Sequence, residues 1–328
     1  MKNFIKAAAT EVAIPAPRSI SLSAAEFQGL SDVPPESVWF ASIESVHTRR
    51  AYAADIRDFL GFIQAGDSQA LRQVKRAHVL AWRRALEARK LSAPTVRRKL
   101  SALASLFEHL CEANSVAENP VKGVKRPKVG SYSGKTPALG DHQARRLLQT
   151  PQGDSVKALR DQAMLSVFLY HGIRREELCR LRVKDVQVMD MGAHYMYVHG
   201  KGAKTRSIEL HPLTQGHLSA YLAKAGHAAD LDGPLFRPVK NSRGAVDGAI
   251  TPDGVYRVVR TYLRAIGLSQ ELFAPHALRT TAATNALLHG ADISFVQPWL
   301  GHASISTTKG YDRRKSRPED SPTYKVSF

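Results

Sequence analysis

The residues equipped for chemistry fall into four short groups in the C-terminal half of the chain. Gly172-Ile173-Arg174 comes first, then Gly200-Lys201-Gly202, then His276-Ala277-Leu278-Arg279. Last is Leu300-Gly301-His302, with Tyr311 nine positions further on. A phenol, two arginines, two histidines and a lysine suit attack on a phosphodiester. The Tyr311 hydroxyl is the nucleophile of such a set, given a base or electrostatic help to offset a reference pKa of about 10. Attack on phosphorus builds negative charge on the non-bridging oxygens, and fixed cations stabilise it. Arg174 and Arg279 fit that need, because a guanidinium stays charged and donates two bonds in one plane. His276 and Arg279 are three apart, so on a helix both project toward one point. Histidine accepts a proton near neutral pH. Lys201, on a glycine-flanked turn, can deliver one to a departing alkoxide. Glu177, one helical turn after Arg174, is placed as a buttress for that arginine. The Gly-Lys-Gly group lacks the spacing of a phosphate-binding P-loop. Tyr324 is a rival phenol with nothing site-like around it.

These groups need a folded frame, and the composition provides for one. The chain has 328 residues, 43% of them hydrophobic, enough for two domains with real cores. Forty-seven Lys and Arg face 29 Asp and Glu, a net charge of +18. That field attracts polyanions, nucleic acid first and an anionic membrane surface second. No apolar run approaches the ~18–20 residues of a membrane span. Lys2 and Lys6 with the following alanines hint at a signal peptide, but Glu11 and Pro15 interrupt the apolar stretch. Cys111 and Cys179 lie far apart in helical patterns and read as reduced thiols, consistent with cytoplasm. No Cys/His spacing matches a zinc site, and no cofactor is expected.

Residues 1–36, with Pro15, Pro17, Pro34 and Pro35, read as an irregular extension. From Val46, Tyr52, Ile56, Phe59 and Ile63 form a helical stripe, with Arg49 off it. A second helix is expected over 76–89. A third opens at the N-cap Ser92, with Val96, Leu100, Leu103, Phe107 and Leu110 on one face. Thr95, Arg97, Arg98 and Lys99 sit at its N-terminal end, where free N–H groups and cations suit a phosphate backbone. Residues 121–137 carry Lys122, Lys125, Arg126 and Lys128 without hydrophobic period and read as a basic, flexible connector. Helical patterns then cover about 141–149, 155–171 and 174–181. A strand pair over 194–199 and 206–210 flanks the Gly-Lys-Gly turn, with Lys204 and Arg206 on its second arm. Helices follow at about 212–224, 252–266, 276–289, 292–300 and 304–311. In the last residues, Tyr324 to Phe328 alternate like a short strand.

The ordered set resembles the tyrosine recombinase (phage integrase) family from about residue 40 to Tyr311. Residues 170–178 are similar to the family's first arginine box, 198–206 to its lysine hairpin, 275–279 to its His-x-x-Arg box, and 300–311 to its Gly-His and tyrosine motif. Ile173 stands where leucine is common, and Trp299 where an aliphatic residue is frequent. The resemblance implies a mainly α, two-domain protein. An all-α, SAM-like core-binding bundle spans 37–120, and an α+β catalytic domain with a small antiparallel sheet spans 138–314. The tail 315–328 is expected to dock on a neighbouring protomer by adding a strand. No separate arm-binding domain is expected, which places the chain nearer Xer-like and mobile-element recombinases. The implied catalytic set is Arg174, Lys201, His276, Arg279, His302 and Tyr311. The implied reaction is site-specific recombination of double-stranded DNA through a 3′-phosphotyrosyl bond and a Holliday junction, by four protomers on two sites, without ATP or metal. Accessory DNA-bending or partner recombinase proteins are candidate partners, and the nucleoid is the expected place of action. A type IB topoisomerase and a non-catalytic DNA-binding regulator remain as alternatives.

Overall fold

The computed structural model describes residues 23, 28–30, 32–64, 69–128, 136–190, 192–200, 204–240 and 244–313. The chain divides into two compact units, one up to Gly130 and one from Ser131.

The first unit is all-helical: α1 Pro35–Ser42, α2 Val46–Phe62, α3 Gln69–Arg72, α4 Arg76–Ala88 and α5 Ala93–Glu112. The start of α1 overlaps the stretch expected to be irregular. Pro35 opens it at a position where a missing N–H costs nothing, and Trp39 and Phe40 bury its inner face. Ser92 caps α5 as expected, its side chain accepting the Thr95 N–H. Every apolar residue of the expected α5 stripe is buried, packed with Phe59 and Trp82. Val121 and Val124, in the stretch read as a connector, are also buried in this core, so the chain leaves the first unit later than expected.

The second unit contains α6 Asp141–Gln149, α7 Val156–His171, α8 Arg175–Arg180, β1 Val188–Asp190, β2 Ala193–His199, β3 Thr205–Glu209, α9 Pro212–Ala225, β4 Val239–Lys240 and β5 Gly244–Ala245. After these come α10 Pro252–Ala265, α11 Pro275–Leu288, α12 Ile293–Leu300 and α13 Ile305–Lys309. Helix α7 is buried on most of its circumference against α9 and α11, which makes it the spine of the unit. The sheet has three strands in the order β1-β2-β3, all antiparallel, with Met196 opposite Ile208 and His199 opposite Thr205. The expected strand pair is therefore joined by a third strand, and β4–β5 adds a separate hairpin. Both additions are too short to show a period of two in sequence. No helix among the described residues is long and apolar enough to cross a membrane.

Leu103 is fully buried in the first core. Leu103→Ala should cost about 2–5 kcal/mol, read as a lower urea midpoint for the first unit.

Candidate active site

Two left-handed glycines set the site's geometry. Gly172 (φ 55°) ends α7 and Gly301 (φ 65°) ends α12. A Cβ on Gly172 would come within 3.0 Å of Leu300, and one on Gly301 within 3.0 Å of Arg206, so a side chain at either would press its neighbour aside on a backbone whose positive φ already disfavours it. At the end of α12 the backbone carbonyls are fully engaged. Pro298 O accepts from the Gly301 N–H and Gln297 O from the His302 N–H. The next three each receive an arginine. Arg206 Nε donates to Trp299 O at 3.0 Å, Arg279 Nη2 to Leu300 O at 2.7 Å and Arg174 Nη2 to Gly301 O at 3.2 Å. Arg279 also donates to Gly172 O, joining the two helix ends.

Glu177 balances this charge from α8. Its carboxylate accepts a bidentate pair from Arg206 at 3.0 and 2.8 Å, and one bond each from the Arg174 guanidinium and backbone N–H, both at 2.8 Å. Burial works to raise the Glu177 carboxyl; the bonds from Arg206 and Arg174 outweigh it and hold its pKa at about 2. Glu177 thus bonds two arginines, where its spacing in sequence paired it with Arg174 alone. Arg206, expected to face DNA, is instead built into this network with its side chain 15% exposed. The signal was in the strand: Arg206, Ile208 and Leu210 alternate onto one face, and Ile208 and Leu210 are buried.

The remaining residues gather around Arg279, which is itself 1% exposed. Its Nη2 donates to His302 Nε2 at 2.9 Å. The His302 ring stacks on Tyr311, with ring centroids 5.6 Å apart and planes 17° apart. Tyr311 is buried with Ala283, Leu287, Val296 and Leu300, and Thr284 Oγ1 donates to its carbonyl. Trp299 packs in the same place, so the aromatic substitution is taken up by the core. His276 occupies the first turn of α11, exposed at the rim. Loss of solvent around it, then Arg279 and Arg174, push its pKa below the usual histidine value. Burial first, then the surrounding arginines, bring His302 to about 4. Burial lowers Arg279 to about 10, which leaves it charged at neutral pH. Arg174, His276 and Arg279 line a cavity of about 300 Å³ that also borders Arg175, Glu176 and Tyr256. It is an electropositive recess with room for a tetrahedral anion. Lys201 lies outside the described residues; beside it the Gly200 N–H donates to Lys204 O at 2.8 Å, closing the hairpin. Tail residues 314–328 also lie outside the described residues.

In the first unit the expected DNA-facing residues separate into two groups. Arg97, Lys122, Lys125, Arg126 and Lys128 are exposed. Arg97 donates to Pro127 O and Arg126 to Ser101 Oγ, which ties the segment after Gly123 to the start of α5, whereas Lys122 borders Glu108 and Cys111 near its other end. Lys99 is not among them: it is buried, with Asp55 at 3.2 Å and Asp58 at 3.0 Å. Arg98 pairs with Asp55 but keeps 44% of its side chain exposed. Arg49 donates twice to Ile43 O, closing the end of α1. Thr95 shares a hydroxyl bond with the Ser92 cap. In the second unit, Lys204 is exposed on the hairpin.

The site thus brings together a tyrosine stacked on a histidine and a caged arginine. Comparison with known proteins gives the family. The phage integrase family matches residues 138–317, and its N-terminal SAM-like domain matches residues 39–114. Tyrosine recombinase XerC of Thermodesulfovibrio yellowstonii is 34% identical over 274 residues, covering 82% of this chain and 86% of the relative. Among solved structures, the XerH site-specific recombinase bound to a palindromic difH substrate, in a post-cleavage complex, has a TM-score of 0.65. It is 19% identical and covers 94% of this chain and 90% of that one. A lambda integrase tetramer bound to a Holliday junction has a TM-score of 0.58 at 17% identity, covering 86% of this chain and 77% of that one. The chain belongs to the phage integrase family of tyrosine recombinases.

Glu177→Gln should cost about 3 kcal/mol near neutral pH, because it leaves Arg206 and Arg174 without their counter-charge. The pH dependence follows from the depressed carboxyl. The stabilisation from Glu177 is present above about pH 4.5 and is lost as pH falls toward 2. Urea unfolding across that range should show the loss in the parent protein and a flatter profile in Glu177→Gln.

Proposed function

We propose that this protein is a site-specific DNA recombinase in which Tyr311 is the nucleophile. The observation that carries the reading is the chain of contacts from Tyr311 to His302 to Arg279, ending at a recess shared with Arg174 and His276. A scissile phosphate in that recess meets both guanidiniums. Each guanidinium has five N–H donors; bonds to described residues use two in Arg174 and three in Arg279, so both keep donors for the phosphate. Tyr311 Oη forms the bond to phosphorus, and the P–O5′ bond breaks. His276, neutral at working pH, accepts the phenolic proton, and Lys201 protonates the departing O5′. Arg174, Arg279 and His302 hold the charge that builds on the non-bridging oxygens. The phosphotyrosyl ester retains the energy of the broken bond. A 5′-hydroxyl of a second duplex then attacks it, releasing Tyr311 and joining the strands, with no ATP or metal consumed.

Duplex DNA is the partner, and exchange between two sites proceeds through four copies and a Holliday junction. The lambda integrase tetramer on such a junction supports that assembly. The exposed cations Arg97, Lys125, Arg126 and Lys128, with Lys122 further along, grip phosphates, and Lys204 does the same on the hairpin. The tail 315–328 is assigned to a neighbouring protomer. Accessory DNA-bending proteins or a partner recombinase fit the same reading, as does action on nucleoid DNA in the cytoplasm.

Nicked duplexes tiled across the DNA flanking the gene test the chemistry. With no metal added, one should yield a protein–DNA complex that survives SDS. Tyr311→Phe should abolish it, and Arg279→Ala should slow it roughly a hundredfold or more. A plasmid with two such sites should recombine; relaxation of any supercoiled plasmid would instead indicate a topoisomerase.

A salt titration tests the DNA contacts. Arg97→Ala and Lys125→Ala should each weaken binding on any sequence and reduce the log-log salt slope by about 1. Lys99→Ala should lower thermal stability and leave that slope unchanged.

A further inference from the structure

Thr308 is fully buried in α13, between the histidine and the tyrosine that follow from the reading above. Its Oγ1 lies 2.9 Å from His302 Nδ1, and its carbonyl accepts the Tyr311 N–H at 2.9 Å. The other ring nitrogen, Nε2, faces Arg279 Nη2 at 2.9 Å. A guanidinium has donors only, so Nε2 is the acceptor in that pair. The ring proton therefore stands on Nδ1 and is donated to Thr308 Oγ1. Arg279 and His276 from α11, Arg174 at the start of α8 and Arg206 from β3 all face this ring, and after burial they keep it neutral in the absence of DNA. Neutral His302 thus gives its one lone pair to Arg279 at the edge of the recess.

A bound phosphate reverses that requirement. Its negative charge offsets the arginines and favours a second ring proton, taken from solvent, on Nε2. The Arg279 N–H that His302 held turns to the anion, and both ring nitrogens then donate, Nε2 to the phosphate and Nδ1 to Thr308. Resting on the recombinase reading, we propose that Thr308 is a positioning residue for His302. By accepting from Nδ1 in both states, it holds the ring against Tyr311 and reserves Nε2 for the phosphate. The same residue fixes the tyrosine's backbone, so one hydroxyl and one carbonyl set the spacing of the pair. The apolar surface near Phe295 and Leu288 is more exposed, but nothing adjoining it indicates an occupant.

The experiment uses the full chain and a nicked substrate that the parent protein cleaves, with single-turnover rates measured from pH 6 to 9. Thr308→Val should slow cleavage roughly tenfold to a hundredfold, with the rate falling away at lower pH than in the parent. Thr308→Ser should restore rate and profile. DNA affinity and melting temperature serve as folding controls. A natively folded Thr308→Val with the parental rate and profile overturns the proposal. Nitrogen-15 NMR of the DNA-free parent protein, with His302 identified by loss of its signals in His302→Gln, tests the tautomer without touching Thr308. A proton on Nδ1 is expected, and a proton on Nε2 overturns the proposal. Absence of any Tyr311-dependent covalent complex in the parent would overturn the recombinase reading itself, a result distinct from these.

Discussion

The end of α12 is held by three guanidiniums, and the candidate site depends on that grip. A helix C-terminus leaves carbonyls without backbone partners and carries the negative end of the helix dipole. Here the carbonyls of Trp299, Leu300 and Gly301 receive Arg206, Arg279 and Arg174, which come from β3, α11 and the start of α8. Three elements distant in sequence thus meet at one turn of backbone. His302 is the next residue, and Tyr311 is reached through the short α13. The arginines therefore organise the segment that carries Tyr311, and two of them, Arg174 and Arg279, also line the recess proposed for the phosphate.

Such a concentration of cations needs compensation. Glu177 supplies one negative charge and stays ionised far into acid because Arg206 and Arg174 bond to it. The two histidines respond in the other direction: His276 and His302 are both pushed toward the neutral form. The DNA-free site thus keeps net positive charge in its arginines and keeps its titratable rings uncharged. A phosphate diester completes the balance. Under the proposed reaction that arrangement links binding to activation, because an anion in the recess also favours a charged His302.

Much of this was legible in the sequence, for identifiable reasons. The helices around Phe59 and Leu103 bury faces with clear helical spacing, and Ser92 marks the cap of the second. The four chemical motifs are local, so their order survives without a structure. Contacts between distant elements were not legible. Lys99 read as part of a basic helix end, but it lies three residues from Val96, on the same inward face, and meets Asp55 and Asp58 of α2. Arg206 read as a DNA contact because its hairpin is basic, although strand alternation places it inward with Ile208. Thr308 gave no signal, since its bond to His302 exists only once the turn after Gly301 has formed. The third strand β1 is three residues long and has no period to detect.

The central claim is that this network delivers one particular phenol to phosphorus. Peptide mapping of the covalent product addresses it directly. After nuclease and protease digestion, mass spectrometry should find the residual nucleotide joined through its 3′-phosphate to the peptide containing Tyr311. A nucleotide on any other residue, Tyr324 included, or one joined through a 5′-phosphate, would contradict the account.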